Sequence, residues 1–174
     1  MTNEVLKAIE ARRSCRSYEK RQISAEQLQA VTRAGTWAPS GMGRQAVKLV
    51  AVHDPQTIAQ LERLNAAVLG KPDAHPFYGA PTVIVVFADG TVSTHVEDGA
   101  LALGAMLLAA SSIGLGSCWI HRAKEVFQTE EGRALMRKWG VEAQYEGVGH
   151  CIVGYADGPL PAPKPRKEDY VVLA

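Results

Sequence analysis

"GALALGAMLLAASSIGLGSCWI", residues 99–120, carries no charged side chain from end to end. How this run folds decides the architecture. Hydropathy alone would let it cross a bilayer, since about 20 apolar residues span a hydrocarbon core of about 30 Å. The glycines argue otherwise: Gly114 and Gly116 are placed to stop a helix after Ile113. The helix that remains has about fifteen residues and reaches only about 22 Å at 1.5 Å per residue. A core helix is therefore expected, and Ala100, Ala102, Gly104, Ala105, Ala109 and Ala110 would let a second helix backbone come close. Thr94 and Glu97 have the spacing of a capping box that would start it.

Upstream, Val5, Leu6 and Ile9 follow Thr2 and Asn3 and predict a first helix that runs into a cluster of arginines. Ser24 and Gln27 predict a second capping box, with a helix through Leu28 and Val31 ending near "WAPSG" (37–41). "AVKLVAV" (46–52) reads as a buried strand. Asp54, with Pro55 at the first helical position, starts a helix whose Ile58, Leu61 and Leu64 share one face. "KPDAHPFYGAP" (71–81) is a loop and "TVIVVFA" (82–88) a strand. Downstream come a broken helix over about 123–139 that stops at Gly140 and a strand, "GVGHCIVGY" (147–155). The tail "DGPLPAPKPR" (157–166) has four prolines, which exclude a helix or a central strand, and leads to an apolar end, "YVVLA" (170–174). No repeat or linker divides the chain, so residues 1–174 are expected to form one domain of intermixed helices and strands, α+β or layered α/β.

Charge and cysteine usage exclude several functions. The 174 residues include 19 basic and 18 acidic side chains, a net charge of +1, so no global field draws the chain to nucleic acid or membrane. Cys15, Cys118 and Cys151 have no C-x-x-C spacing, which fits reduced thiols in a cytoplasmic protein. "MTNEVLKAIE" (1–10) has no apolar h-region, so no secretory signal is expected. "GMGRQA" (41–46) matches a dinucleotide fingerprint in letters only, because a helix precedes it and a strand follows. His95-Val96-Glu97 is half of a zinc deaminase motif, but no P-C-x-x-C follows, and His95 is more simply a polar residue in a helix's first turn. The five histidines show no i, i+4 pair and there is no G-x-S-x-G elbow, so neither a metal site nor a serine nucleophile is expected.

"RRSCRSY" (12–18) crowds Arg12, Arg13 and Arg16 around Ser14. Like charges so close repel by an amount comparable to one exposed ion pair, about 1 kcal/mol. Either water screens them at the end of the first helix, where cations favour the dipole, or an anion sits among them.

"RRSCR" (12–16), "APSGMGRQAV" (38–47), "FYGAPTVIVV" (77–86), the run 99–120, and "IVGYADG" (152–158) with "PKPRKEDYVV" (163–172), five segments in this order, resemble the nitroreductase family of FMN-dependent oxidoreductases. Arg12-Arg13-Ser14-Cys15-Arg16 is similar to the family's R-R-S-x-R or R-H-S-x-K stretch after the first helix. Ala38-Pro39-Ser40-Gly41-Met42-Gly43-Arg44-Gln45-Ala46-Val47 is similar to its A-P-S-x-x-N-x-Q-P-W signature. "FYGAPTVIVV" resembles the family's G-A-P strand entry, and residues 99–120 resemble its long interface helix and G-L-G-S-x-W turn. "IVGYADG" and "PKPRKEDYVV" resemble its last strand and basic C-terminal segment. Gly43 stands where the family usually has Asn, and Ala46-Val47 where it has Pro-Trp. A side-chain hydrogen bond to the flavin ring is thus missing, or supplied by backbone N–H of the glycine-rich turn.

The resemblance implies a three-layer α/β/α sandwich around a mixed, mainly antiparallel sheet, with a C-terminal strand exchanged in a homodimer. It implies bound FMN, NADH or NADPH as donor, and a small acceptor such as a nitroaromatic or quinone. The flavin carries the chemistry, so no catalytic side chain is demanded. Arginine forks match phosphate oxygens, so Arg12, Arg13, Ser14 and Arg16 would hold the FMN phosphate, with Lys164 and Arg166 closing it from the tail. For Arg13 the helix end is an equal alternative, and for Lys164 and Arg166 so is plain solvation. Pro39, Ser40, Gly41, Met42, Gly43 and Gln45 would reach the ring and ribityl chain from the other subunit. The backbone of Trp119, Ile120, His121 and Arg122 would pass the reactive edge, although Trp119 also suits a core. Cys118 and Cys151 are expected to be buried small hydrophobes. The alternative function is a flavin-binding module for storage or sensing, without turnover.

Overall fold

A computed structural model describes residues 1–173; Ala174, the last residue of the apolar end, lies outside the described residues. Helix boundaries follow local chemistry. Asn3 accepts from the Leu6 N–H at 2.9 Å and opens α1 (Glu4–Ala11). Ser24 and Gln27 form the expected reciprocal box at the start of α2 (Ala25–Thr36). Asp54 accepts from the Thr57 N–H and opens α3 (Pro55–Val68). The charge-free run forms most of α4 (His95–Ser112), and Gly114 takes a left-handed φ of 78° just beyond it. Thr129 ends α5 (Ala123–Gln128) and caps α6 (Glu130–Lys138), which accounts for the break expected between 123 and 139. No helix among the described residues is long and apolar enough to cross a membrane.

Four strands, β1 (Val47–Val52), β2 (Thr82–Asp89), β3 (Gly116–Ile120) and β4 (Tyr145–Gly154), lie in the order β1-β2-β4-β3. Each neighbouring pair is antiparallel. The one parallel pairing among the described residues is an isolated bridge between Ser14 and Ser117. Alternating residues of β2 feed two cores. Val83, Val85 and Phe87 pack with Leu61 and Leu64 of α3 and with Val126, Phe127, Leu135 and Met136 of α5 and α6. Ile84, Val86 and Ala88 pack with Val31 of α2 and with Leu103, Met106 and Ala110 of α4. The result is the expected three-layer sandwich, helices on both faces of one sheet.

Two local expectations fail. The Thr94 side chain makes no capping hydrogen bond to a backbone N–H of α4; its hydroxyl turns to Asp98 Oδ2 at 3.3 Å, because that carboxylate is buried and needs donors. Gly116 does not simply end a helix but begins β3, whose pairing with β4 outweighs glycine's poor strand propensity. Beyond Gly158 the tail has no regular structure, and Tyr170, Val171, Val172 and Leu173 are 72–94% exposed.

His150, in the middle of β4, is fully buried between the rings of Phe77 and Phe127, with centroids at 5.2 and 6.1 Å. Burial pulls its pKa from 6.5 down to about 4. The unfolded chain therefore binds this proton more readily than the native state. The stability involved is complete above pH 6.5 and drains away as the pH falls toward 4. Thermal melts at a series of pH values should show the parent losing more Tm across this window than His150→Gln; parallel slopes would assign the acid limb to other groups.

Candidate functional site

The arginine segment leaves α1 and is fastened along β3. Beside the Ser14–Ser117 bridge, the Cys15 N–H donates to the Ser117 carbonyl at 2.9 Å. Tyr18 pairs with Ala156, and the Asp157 N–H donates to Ser17 at 3.0 Å, which ties the segment to the exit of β4. Arg12 is thereby held with its Nη1 buried and without a hydrogen-bond partner among the described residues. Burial pushes the Cys118 thiol up, while the Ser14 hydroxyl and the charges of Arg16 and Arg12 draw it down. No carboxylate pairs with Arg12, Arg13 or Arg16 among the described residues. A cavity of about 240 Å³ opens here between Ser14, Arg16 and Ser17 and the Asp157–Pro161 stretch.

Arg13 takes the helix-end alternative. Its Nη1 donates to the Glu10 and Arg12 carbonyls at 2.6 and 2.7 Å, so its fork closes α1 instead of facing the cavity. Lys164 and Arg166 are exposed further along the tail and do not line that cavity.

The segment from Pro39 to Gln45 is a tight 3-10 turn (Gly41–Gly43) leading into β1. Three of its residues are left-handed: Met42 (φ 55°), Gly43 (66°) and Gln45 (51°). For residues other than glycine such angles cost about 1–3 kcal/mol each and persist only where neighbours enforce them. Here Asp98 accepts the Gly41 N–H at 2.9 Å, and Ser40 accepts the N–H groups of Gly43 and Gln45 at 3.0 Å. Gly41 lies so close to α4 that a Cβ would fall 2.2 Å from the Thr94 hydroxyl. Gly43 keeps a backbone that Asn also tolerates but presents no side chain. The expectation that turn N–H groups replace that side chain fails for Gly41 and Gly43, whose N–H groups are already bonded within the protein. Trp37 and Met42 stand 77% and 88% exposed beside the turn.

The third segment lies at the end of β3. Trp119 is 45% exposed and not core, with its indole lying over Gly149, where a Cβ would fall 2.4 Å from Nε1. Ile120 is buried, His121 exposed, and Arg122 left-handed with φ 73°. Cys118 and Cys151 are buried free thiols, as expected. The arginine segment and the Trp119–Arg122 segment share the β3 edge, whereas Pro39–Gln45 leads into β1 at the opposite edge. Three strand spacings, about 14 Å, separate those edges. Within one chain the structure puts the arginine segment and Trp119–Arg122 at one edge and Pro39–Gln45 at the other.

Sequence patterns missed Asp98, Asn65 and His150, all buried polar residues that position these segments. Only His150 carried a hint, as a polar residue inside an apolar strand run. For Asp98 the consequence is direct. Asp98→Ala strands the Gly41 N–H and should lower the free energy of urea unfolding by about 1–3 kcal/mol, whereas Asp98→Asn keeps an acceptor and most of that stability. Equal stability of the parent and Asp98→Ala would mean that the turn does not depend on this bond.

A family model described as "Nitroreductase family" matches residues 9–155. A relative from Archaeoglobus fulgidus, named "Putative NADH dehydrogenase/NAD(P)H nitroreductase", is 31% identical over 172 residues, covering 96% of this chain and 90% of the relative. The crystal structure of a nitroreductase with bound FMN from Bacteroides fragilis superposes with a TM-score of 0.91 at 33% identity, over 99% of this chain and 100% of that one. Another with bound FMN, from Desulfitobacterium hafniense, gives a TM-score of 0.89 at 28% identity over the whole of both chains.

Proposed function

This chain belongs to the nitroreductase family, and from that premise we infer an FMN-dependent oxidoreductase that takes electrons from NAD(P)H and passes them through FMN to a small acceptor such as a nitroaromatic or quinone. The observation that carries it is the buried Arg12 Nη1, which has no partner among the described residues. A buried, unpaired guanidinium N–H is costly. A phosphate oxygen would satisfy it by a charge-assisted bond, with the Ser14 hydroxyl and Arg16 beside it.

FMN, when bound, supplies the hydride-carrying centre, so the protein's task is to hold and orient it. Arg12, Ser14 and Arg16 would bind the phosphate end. The 119–122 segment continues along the same edge and would set the position of the ring. Pro39–Gln45 of a second chain would cover the ring from outside, since this chain's own copy lies at the far edge of its sheet. That calls for a homodimer. Support comes from α4, which exposes Leu101 and the small residue Gly104 on one side, a face suited to its own copy across a two-fold axis. The exposed apolar Tyr170–Leu173 would pair with the partner's sheet and bring Lys164 and Arg166 toward a phosphate. Three free thiols suit a reducing compartment, the cytoplasm.

Gly43, which offers no side chain to the ring, favours a second reading, a flavin-binding module that turns over slowly. Stopped-flow mixing separates the two: the purified yellow protein should bleach rapidly with NADH or NADPH and recover with a nitroaromatic or quinone. Persistent colour would leave the binding module, and a protein that stays colourless with added FMN would remove both readings.

The phosphate site makes its own prediction. Arg12→Ala removes a charge-assisted contact of about 1.5–3 kcal/mol, so FMN affinity should fall about ten- to a hundredfold. The apo protein should be as stable as the parent or more so, because a buried unpaired donor is lost. Unchanged FMN affinity in fluorescence titration would make Arg12 a structural residue.

A further inference from the structure

We propose that Asn65 is a positioning residue for the flavin: it holds the two-residue turn after β3 so that the His121 and Arg122 backbone meets the ring in one fixed place. This rests on the FMN reading of the site. Asn65 is fully buried on α3, on a face otherwise filled by Leu61 and Leu64. Both ends of its amide are directed at one turn. Its Nδ2 donates to the His121 carbonyl at 2.8 Å, and its Oδ1 accepts from Arg122 Nε at 3.1 Å.

The turn needs such a hold. It joins β3 to α5 in two residues, His121 and Arg122, and the second is left-handed at φ 73°, where glycine would be the ordinary choice. Arginine there is strained unless something fixes it. The Arg122 side chain folds back to α3 and spends its Nε on Asn65, so it ties down its own backbone. From the other side, His150 Nδ1 lies 3.3 Å from the Ile120 carbonyl. Residues 120, 121 and 122 are thus each contacted by a side chain from α3 or β4. A fold needing only a stable connection would not require this; a backbone edge that orients a flat ring does, because small misplacements at a reacting centre cost rate steeply.

The test uses the FMN-loaded protein with Asn65→Ala and Asn65→Asp. Alanine removes both bonds. Aspartate keeps the acceptor for Arg122 and loses the donor for His121. The visible spectrum of the bound flavin should shift in both variants. Flavin reduction by NAD(P)H should slow by about threefold in Asn65→Asp and about tenfold or more in Asn65→Ala. FMN affinity, set at the phosphate end, should change less than about threefold. If Asn65→Ala does not fold, the spectrum and reduction rate of Asn65→Asp decide the matter. Variants with the parent's spectrum and reduction rate, even with a lowered Tm, would make Asn65 structural and overturn the proposal while leaving the FMN reading intact. A parent that binds no FMN would overturn both.

Discussion

β2 must be covered on both faces. Every residue from Val83 to Ala88 is fully buried, and consecutive side chains point to opposite sides of the sheet. Each such residue contributes about 1.5–3 kcal/mol only if removed from water, so helices are required above and below. That constraint draws α4 into the core and makes the charge-free run a packing surface. It also fixes β1 and β3 as the sheet's two edges. An open edge invites uncontrolled pairing, and Ser14 and Cys15 cover part of the β3 edge. The arginines occupy their place because the segment that carries them covers that edge.

Where the fold carries unfavourable energy is equally informative. Left-handed residues other than glycine occur at Met42, Gln45, Tyr78 and Arg122, and a buried guanidinium N–H without a partner among the described residues at Arg12. Met42, Gln45, Arg122 and Arg12 lie in segments assigned to FMN; Tyr78 lies in the loop before β2, and His95 of α4 and His150 of β4 also carry buried atoms without a hydrogen-bond partner among the described residues. Strain and unpaired donors persist when the surrounding structure enforces them, and they gather where a ligand is held. Asp98 and Asn65 supply the enforcement, one for each FMN-assigned turn.

Much of the fold was legible in the sequence because its signals are local. Ser24 with Gln27, Asp54 with Pro55, and Gly114 and Gly140 act within a few residues, and each behaves as its spacing implies. β3 was hidden because it continues the same uncharged run as α4, and only its pairing with β4 distinguishes it. The Thr94 box failed because the Thr94 hydroxyl donates to buried Asp98, the carboxylate that also holds the distant Gly41 N–H. At the site, Arg12, Ser14 and Arg16 were visible as a charge cluster that had to be screened or neutralised. Whether Arg13 joined them depended on the direction of one fork at the end of α1, which spacing does not encode. Asn65 could not be found from pattern, since its partners lie 56 and 57 residues away.

The central claim is that the β3 edge holds a phosphate through Arg12, Ser14 and Arg16. Riboflavin has the ring and ribityl chain of FMN without the phosphate, so comparing the two ligands isolates that contact. Fluorescence titration of the apo protein should give FMN an affinity at least about a hundredfold higher than riboflavin. The difference should shrink to within about threefold when Arg12 and Arg16 are both replaced by alanine. Equal affinity of the parent protein for FMN and riboflavin would contradict the account.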